Sequence, residues 1–356
     1  MEFTSNITSS IQAKLGRNLH LQKYHPLEII KHKIYNYFGS SYDKFDNLSP
    51  IVSVEDNFDK LLIPINHPAR SKSDTYYVNE STVLRTHTSA HQNQLLCKGH
   101  TKFLVTGDVY RKDEVDCHHY PVFHQMEGVC VLDIDNAESE LKLVLSGLVE
   151  YLFPGCKYRI NDDYFPFTHP SFEFEVEFNG KWLEILGCGV IQPTILQNCN
   201  LEGKYAWAFG LGLERLAMIL FDIPDIRYFW TTDDAFIKQF HSYDIVKFKP
   251  YSKLAPLIKD ISFWIPKETD IIGNKWVCEN DFFELCREIG TDMIEKVELF
   301  DYFYHPKKKQ HSRSYHIVYS CPDTTMKNPG EFNSMVNDMH QKIASTVGTK
   351  LGVNLR

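Results

Sequence analysis

The residues best equipped for chemistry lie in one stretch, Leu104 to Val129, with the sequence LVTGDVYRKDEVDCHHYPVFHQMEGV. An apolar run from Phe103 to Val109, a long polar tip and a second apolar and aromatic run ending at Gly128 predict a β-hairpin. Arg111 stands at the rim of the first strand; His119, Phe123, Gln125 and Glu127 line the return. Strand side chains alternate between faces, so Phe123, Gln125 and Glu127 share one face while His124 and Met126 take the other. An arginine, an aromatic plate, an amide and a carboxylate make a recognition surface, for which an apolar core has little use. A guanidinium bonds two phosphate oxygens at once and keeps its charge. A flat ring stacks on a base, and a Gln/Glu pair suits an ammonium group.

A second candidate is AFGLGLERLAM, residues 208–218, where a short strand at Trp207–Phe209 runs into a glycine pair and then a helix that ends before Pro224. It lacks the third glycine of a dinucleotide fingerprint and no βαβ unit surrounds it, which excludes that reading. The glycines let a ligand approach the backbone, and Arg215 supplies a second guanidinium. Arg111 and Arg215 would then grip different phosphates of one nucleotide. The plainer use of Arg215 is a salt bridge across its helix.

The elements that must position these residues follow from periodicity. A helix is predicted over Pro26–Phe38, with Leu27, Ile30, Ile34 and Phe38 on one face. A strand follows at Asp74–Val78, and the polar Leu84–Gln92 segment, LRTHTSAHQ, reads as a loop entering a short helix. Asp135–Glu138 has capping-box form ahead of the helix face Leu141, Val144, Leu145, Leu148 and Leu152. Residues 165–170, FPFTHP, fit neither helix nor strand. Phe172, Phe174, Val176 and Phe178 alternate with three glutamates, Asn179-Gly180 supplies a type I′ turn, and Lys181–Leu186 returns. This predicts an antiparallel sheet with helices packed on it. From Tyr251 the order becomes strand (260–265), helix (281–289), strands (294–304 and 312–320), helix (329–347) and strand (352–355), the βαββαβ ferredoxin-like plan. The fold class is α+β, divided into an N-terminal extension (1–24), a catalytic domain (25–246), a linker (247–252) and the ferredoxin-like domain (253–356).

Composition narrows the partners. The net charge of −8 makes the whole chain a poor nucleic-acid magnet, yet 16 of its 38 Lys and Arg and only 14 of its 46 Asp and Glu fall from Lys247 onward. Nucleic acid would therefore be met by local patches. Lys307-Lys308-Lys309 is one, although such a run is more often only a solvated loop. Nine cysteines without a CxxC pair argue for a reducing compartment and against a zinc knuckle. Cys117, His118, His119 and His124 match no usual zinc spacing. No apolar run approaches a membrane span of about 18 residues. Residues 1–24 are rich in Ser/Thr, with Lys14, Arg17 and Lys23 against Glu2, and Ile7, Ile11 and Leu15 recur every four residues. That composition reads two ways, as the remnant of an organellar transit peptide or as a frayed amphipathic helix.

Together the motifs resemble a class II aminoacyl-tRNA synthetase, specifically the single-chain phenylalanyl-tRNA synthetases of the mitochondrial type. HPAR with Pro68 resembles motif 1, YRKDEVDCHHYPVFHQMEGV motif 2, and AFGLGLERLAM motif 3. RTHTSAHQ, FPFTHPSFE, KWLEILGCGV and IPDIRYF are similar to phenylalanine-specific segments. The match covers about Gly16 to Phe240, and the final hundred residues are similar to the family's anticodon-binding domain. The resemblance implies a phenylalanine–tRNA ligase of the mitochondrial matrix (alternatively the cytoplasm or another organelle), using ATP with Mg2+, L-phenylalanine and tRNA(Phe). Fusion of the catalytic and anticodon parts favours a monomer, and the chain shows no spare domain for editing.

The implied roles follow residue by residue. Arg111 holds the ATP α-phosphate, Phe123 stacks on adenine, Arg215 holds the γ-phosphate and His119 reaches the β/γ-phosphates. His87, Ser89 and Gln92 with Gln125 and Glu127 bind the amino acid, Phe165 and Phe167 meet its ring edge-to-face, and Ala208 is the pocket floor. Glu184 sits where the class binds magnesium. Asp113 stands where the class has a glutamate reading the adenine amino group, one methylene shorter, so that contact would run through the backbone or a water. Lys307, Lys308, Lys309 and Arg313 are expected to meet tRNA phosphates. A carboxylate is already ionised at neutral pH, so its attack on the α-phosphate needs alignment and positive charge rather than a protein base. Two other classes remain: a non-catalytic paralogue that binds tRNA or amino acid, and an adenylate-forming amide ligase without tRNA.

Overall fold

The computed structural model describes residues 4–251, 254–265, 270–272, 275–321 and 326–356. Ser252 and Lys253, at the expected junction between domains, lie outside these. Helix α1 forms at Pro26–Phe38, as its periodicity predicts; Pro26 opens it, and the His25 ring accepts from the Leu27 amide at 3.3 Å. The central sheet has seven strands: β1 (Asp43–Phe45), β2 (Lys102–Tyr110), β3 (Val122–Leu132), β4 (Tyr158–Asp163), β5 (Thr168–Phe178), β6 (Lys181–Ile191) and β7 (Tyr205–Gly212). They lie in the order β1-β2-β3-β7-β6-β5-β4, and every pair except β1–β2 is antiparallel. The expected hairpin is β2–β3, with Val109 opposite Phe123 and Val105 opposite Glu127. Asn179 (φ 51°) and Gly180 (φ 74°) make the I′ turn between β5 and β6, where only short or absent side chains sit comfortably.

Short helices α2 (Gln92–Cys97) and α4 (Pro193–Gln197) and the longer α3 (Ala137–Leu152) and α5 (Leu213–Phe221) pack on the sheet. α3 starts where expected, but its capping box does not form: Asn136, at φ −139° and ψ 18°, lacks the extended backbone that aims a cap side chain at the helix. The strand expected at 74–78 forms instead at Tyr77–Asn79, because the Asp74 carboxylate accepts from Ser71 Oγ (2.7 Å) and the Thr75 hydroxyl is spent on the Ala69 carbonyl (2.6 Å).

Residues 4–24 are neither frayed nor free. Ile11 is fully buried, Asn6 Oδ1 accepts from the Tyr77 amide at 2.6 Å, and Arg17 donates to the Trp230 carbonyl at 3.1 Å.

The C-terminal part forms β8 (Leu257–Ile265), α6 (Glu279–Gly290), β9 (Ile294–His305), β10 (Gln310–Tyr319), α7 (Pro329–Leu351) and β11 (Asn354–Leu355), with sheet order β9-β10-β8-β11. This is the expected ferredoxin-like plan. Its core sets Phe263, Tyr315 and Ile317 against Phe282 and Val336 of the two helices. The tip of the β2–β3 hairpin docks on this domain: Lys112 pairs with Asp281 at 2.9 Å, the Val297 amide donates to the Val115 carbonyl at 2.9 Å, and Arg287 donates to the carbonyls of Asp113 and Glu114.

Candidate active site

A cleft of about 640 Å³ opens over the middle of the seven-stranded sheet. Among the residues named from sequence it brings together His87, Ser89, Arg111, Asp113, Gln125, Glu127, Phe165, Phe167, Glu184 and Ala208. The hairpin supplies the polar wall. Gln125 Oε1 accepts from the Thr88 amide at 3.2 Å, tying β3 to the turn that carries His87 and Ser89. That turn is held from below by Arg85, which is buried and donates to the Asp108 carbonyl (2.7 Å) and carboxylate (2.9 Å) and meets His91 at 2.9 Å.

Glu127 is only 2% exposed, and among the described residues neither carboxylate oxygen has a hydrogen-bond partner. Burial pushes its carboxyl up to about 8, opposed only weakly by the nearby Ser89 hydroxyl. A buried carboxyl without a counter-ion, facing a cleft, is built to receive a cation. His87 goes the other way: burial first, and then the Arg111 charge, hold it down to about 3, so it is neutral at physiological pH.

Arg111 donates from Nε to the Thr86 carbonyl at 2.6 Å and lies 5.3 Å over the Phe123 ring. Burial disfavours its charge, while Asp113 and Glu184 support it. Arg215 stands at the mouth, outside the cleft lining and about half exposed, with Nη1 3.2 Å from the Glu184 carboxylate and 3.1 Å from its carbonyl. The salt bridge considered for Arg215 therefore exists, but it reaches across to β6 instead of along the helix. Glu184 thus acts on both guanidinium groups, paired with Arg215 and supporting the charge of Arg111. Beside them, Phe165 and Phe167 stack on each other at 5.8 Å and 14°. A Cβ on Gly187 would come within 2.8 Å of the Phe165 ring, so the glycine is what lets that ring lie against the sheet.

Four more of the residues named from sequence lie outside the cleft lining. Gln92 is buried behind the cleft in the first turn of α2 and takes no part in its lining. His119 turns away: its Nδ1 meets Asp116 at 2.9 Å, and it borders a separate cavity of about 240 Å³ against the C-terminal domain. The hairpin tip is docked on α6, which orients that side chain outward. Phe123 lies outside the lining, half-buried as the platform beneath Arg111. Arg313 is buried on the helix side of its sheet, bonded to Glu279 at 2.8 Å, because alternation along β10 points it at the core with Tyr315.

One functional pair escaped sequence reading. Glu214, 2% exposed, accepts from the His124 amide (2.8 Å) and meets the His124 ring (2.7 Å), locking the helix of Arg215 to the strand of Gln125 and Glu127. An acid inside the apolar face of α5 was the signal that could have found it. Among the described residues, the group with metal-ligand spacing is Glu114, Asp116 and His119, outside the cleft.

The second surface is the uncovered face of the C-terminal sheet. Phe303 and Trp264 both stand opposite Ser312, in one row across three strands, and their rings meet at 5.6 Å. Phe300 stacks on His316 at 3.7 Å and 6°. Lys308 lies 4.5 Å over Trp264, and Arg356 lies 5.3 Å over Phe303. Lys307, Lys308 and Lys309 are exposed in the β9–β10 turn. Flat rings interleaved with cations are what unstacked bases and their phosphates require.

The comparisons agree with this architecture. Residues 8–240 match the model of the tRNA synthetases class II core domain (F), and residues 252–356 match that of the ferredoxin-fold anticodon binding domain. The fold and cleft are thus those of a class II aminoacyl-tRNA synthetase. The chain is 49% identical to the chloroplastic/mitochondrial phenylalanine–tRNA ligase of Arabidopsis thaliana, covering 99% of this chain and 83% of that protein. It is 43% identical to the mitochondrial enzyme of Mus musculus (99% and 86% covered) and 34% identical to that of Saccharomyces cerevisiae (99% and 92% covered). The chain belongs to the phenylalanine–tRNA ligase family.

Proposed function

We propose that this chain is a monomeric phenylalanine–tRNA ligase of the mitochondrial matrix, a location supported by the names of its relatives. It joins L-phenylalanine to ATP as phenylalanyl-adenylate and passes the aminoacyl group to the terminal ribose of tRNA(Phe), at the 2′-OH. The observation that carries this reading is the unpaired, buried Glu127 carboxyl set beside the Phe165/Phe167 pair, with Arg111 in the same cleft. The amino acid's ammonium group meets Glu127 and Gln125, with His87 and Ser89 closing that end. Its ring lies against Phe165 and Phe167 above Ala208. Its carboxylate then attacks the α-phosphorus, and diphosphate leaves with the electron pair of the broken P–O bond. Arg111 holds the α-phosphate as charge builds there, Phe123 supports the adenine, and Arg215 holds the γ-phosphate. The Asp113 backbone or an ordered water reads the adenine amino group.

Class II synthetases generally use Mg2+ with ATP. A lone carboxylate at the phosphate end, Glu184, fits that ion's habit of binding through one or two carboxylates, waters and the nucleotide. When bound it would neutralise phosphate charge; Glu184 would hold it, and Arg215 would orient that carboxylate. In the C-terminal domain, Lys307, Lys308 and Lys309 meet tRNA phosphates while the Trp264–Phe303 row takes unpaired bases.

Phenylalanine-dependent ATP–pyrophosphate exchange, run beside tyrosine and tryptophan, tests the first step. Exchange with phenylalanine far above the other two is expected. Its absence would leave a non-catalytic paralogue as the better reading, and exchange without tRNA charging would favour an amide ligase.

A further inference from the structure

We propose that Cys97 and Cys199 form a dithiol, oxidised by peroxide to a disulfide, beneath the amino-acid end of the cleft. Cys97 ends α2 and is exposed; Cys199 follows α4 and is 4% exposed. The Cys97 sulfur lies 3.6 Å from Asn93 Oδ1 and 3.8 Å from the carbonyl of Asn198, the residue before Cys199. The Cys199 sulfur lies 3.6 Å from the Asn93 carbonyl. Both thiols thus bracket one asparagine, Cys97 on its side-chain oxygen and Cys199 on its carbonyl. The two have different surroundings. Cys97 faces solvent, whereas burial, and next the Cys97 thiol itself, push the Cys199 thiol up to about 12. The accessible sulfur reacts first and the buried one resolves it.

The chemistry balances with hydrogen peroxide as oxidant. The Cys97 thiolate attacks one peroxide oxygen, the O–O bond breaks, and a sulfenic acid and water form after proton transfer. The Cys199 sulfur then attacks the Cys97 sulfur and expels the hydroxyl, which leaves as water with the Cys199 proton. Two thiols lose two electrons, and peroxide becomes two waters.

The position gives the bond a consequence, which rests on the reading of the cleft given above. α2 continues directly from the turn of His87 and Ser89, and α4 follows β6, whose Gly187 and Cys188 line the cleft. Leu96, Leu196, Cys199 and Ala208 share one buried cluster, with Phe167 packed against it. A disulfide would tie the two walls together under the pocket floor.

The test uses the full chain, treated with hydrogen peroxide, blocked with an alkylating agent and mapped by mass spectrometry without reduction. The expected product is a peptide pair joined through Cys97 and Cys199, lighter by two hydrogens, reversed by dithiothreitol and absent from Cys97→Ser and Cys199→Ala. Exposed Cys156, with no thiol partner among the described residues, is the internal control for over-oxidation. Oxidised wild type should show a KM for phenylalanine in pyrophosphate exchange raised about 5-fold or more, the low end of coupling between sites, while Cys97→Ser is unmoved by peroxide. Sulfinic or sulfonic acid on Cys97 with Cys199 fully alkylated would overturn the proposal, as would a cross-linked enzyme with unaltered KM. The mass measurement does not depend on which amino acid is the substrate, so a cross-link formed without phenylalanine exchange would refute the reading of the cleft and leave the dithiol standing.

Discussion

Glu127 is the side chain whose replacement says most. Its carboxyl has an ordinary value of 4.5 and is held at about 8 by burial. At about 1.4 kcal/mol per unit, roughly one molecule in ten carries the carboxylate at pH 7 and about one in a hundred at pH 6. Binding an ammonium group must supply that ionisation. The KM for phenylalanine in pyrophosphate exchange should therefore fall about tenfold from pH 6 to pH 7 and level off near pH 8. Glu127→Gln removes the charge. Leaving one partner of a buried charge pair alone costs about 2–5 kcal/mol, so KM should rise a hundredfold or thereabouts and lose its pH dependence. Stability moves the opposite way. An acid whose folded value is raised contributes fully below its unfolded value, and that contribution is lost as pH rises from about 4.5 through 8. Without ligand, the glutamine variant should therefore melt higher than wild type at pH 8 and not at pH 4.5, by about 2–4 °C for each kcal/mol gained. A wild-type KM flat across pH 6–8, or a variant with wild-type KM, would refute the assignment.

Arg111→Ala should remove about 3 kcal/mol or more of transition-state stabilisation, read as a hundredfold or greater loss of exchange; near-wild-type exchange counts against it. Ala208→Gly should admit para-halogenated phenylalanine or tyrosine, since an apolar pocket alone rejects an added hydroxyl only about 100-fold; unchanged selectivity in exchange would clear Ala208 of a steric role. Combined Lys307→Ala, Lys308→Ala and Lys309→Ala should raise the KM for tRNA and flatten its salt dependence without touching exchange, and equal salt slopes would deny the patch a phosphate role. Arg313→Ala, by contrast, should lower thermal stability, because Glu279 loses its charged partner and keeps only the Tyr315 hydroxyl; weakened tRNA binding at unchanged stability would contradict that.

Much of this protein was legible in order along the chain. Alternation at Phe172–Phe178, the Asn179-Gly180 turn, the Pro26–Phe38 periodicity and the βαββαβ succession are local signals, and local sterics and burial decide them. So are the residue types of the cleft: a hairpin face holding Gln125 and Glu127 can be read from a period of two. What the chain order could not settle is where a side chain points once distant segments meet. Docking the hairpin tip on α6 turned His119 outward, and the alternation of β10 sent Arg313 into the core while Trp264 and Phe303 took the open face. Glu214 found His124, and Cys97 found Cys199, across gaps no periodicity spans. Local pattern fixes which residues share a face; only tertiary packing decides which faces meet, because desolvation and pairing depend on neighbours brought in from elsewhere in the chain.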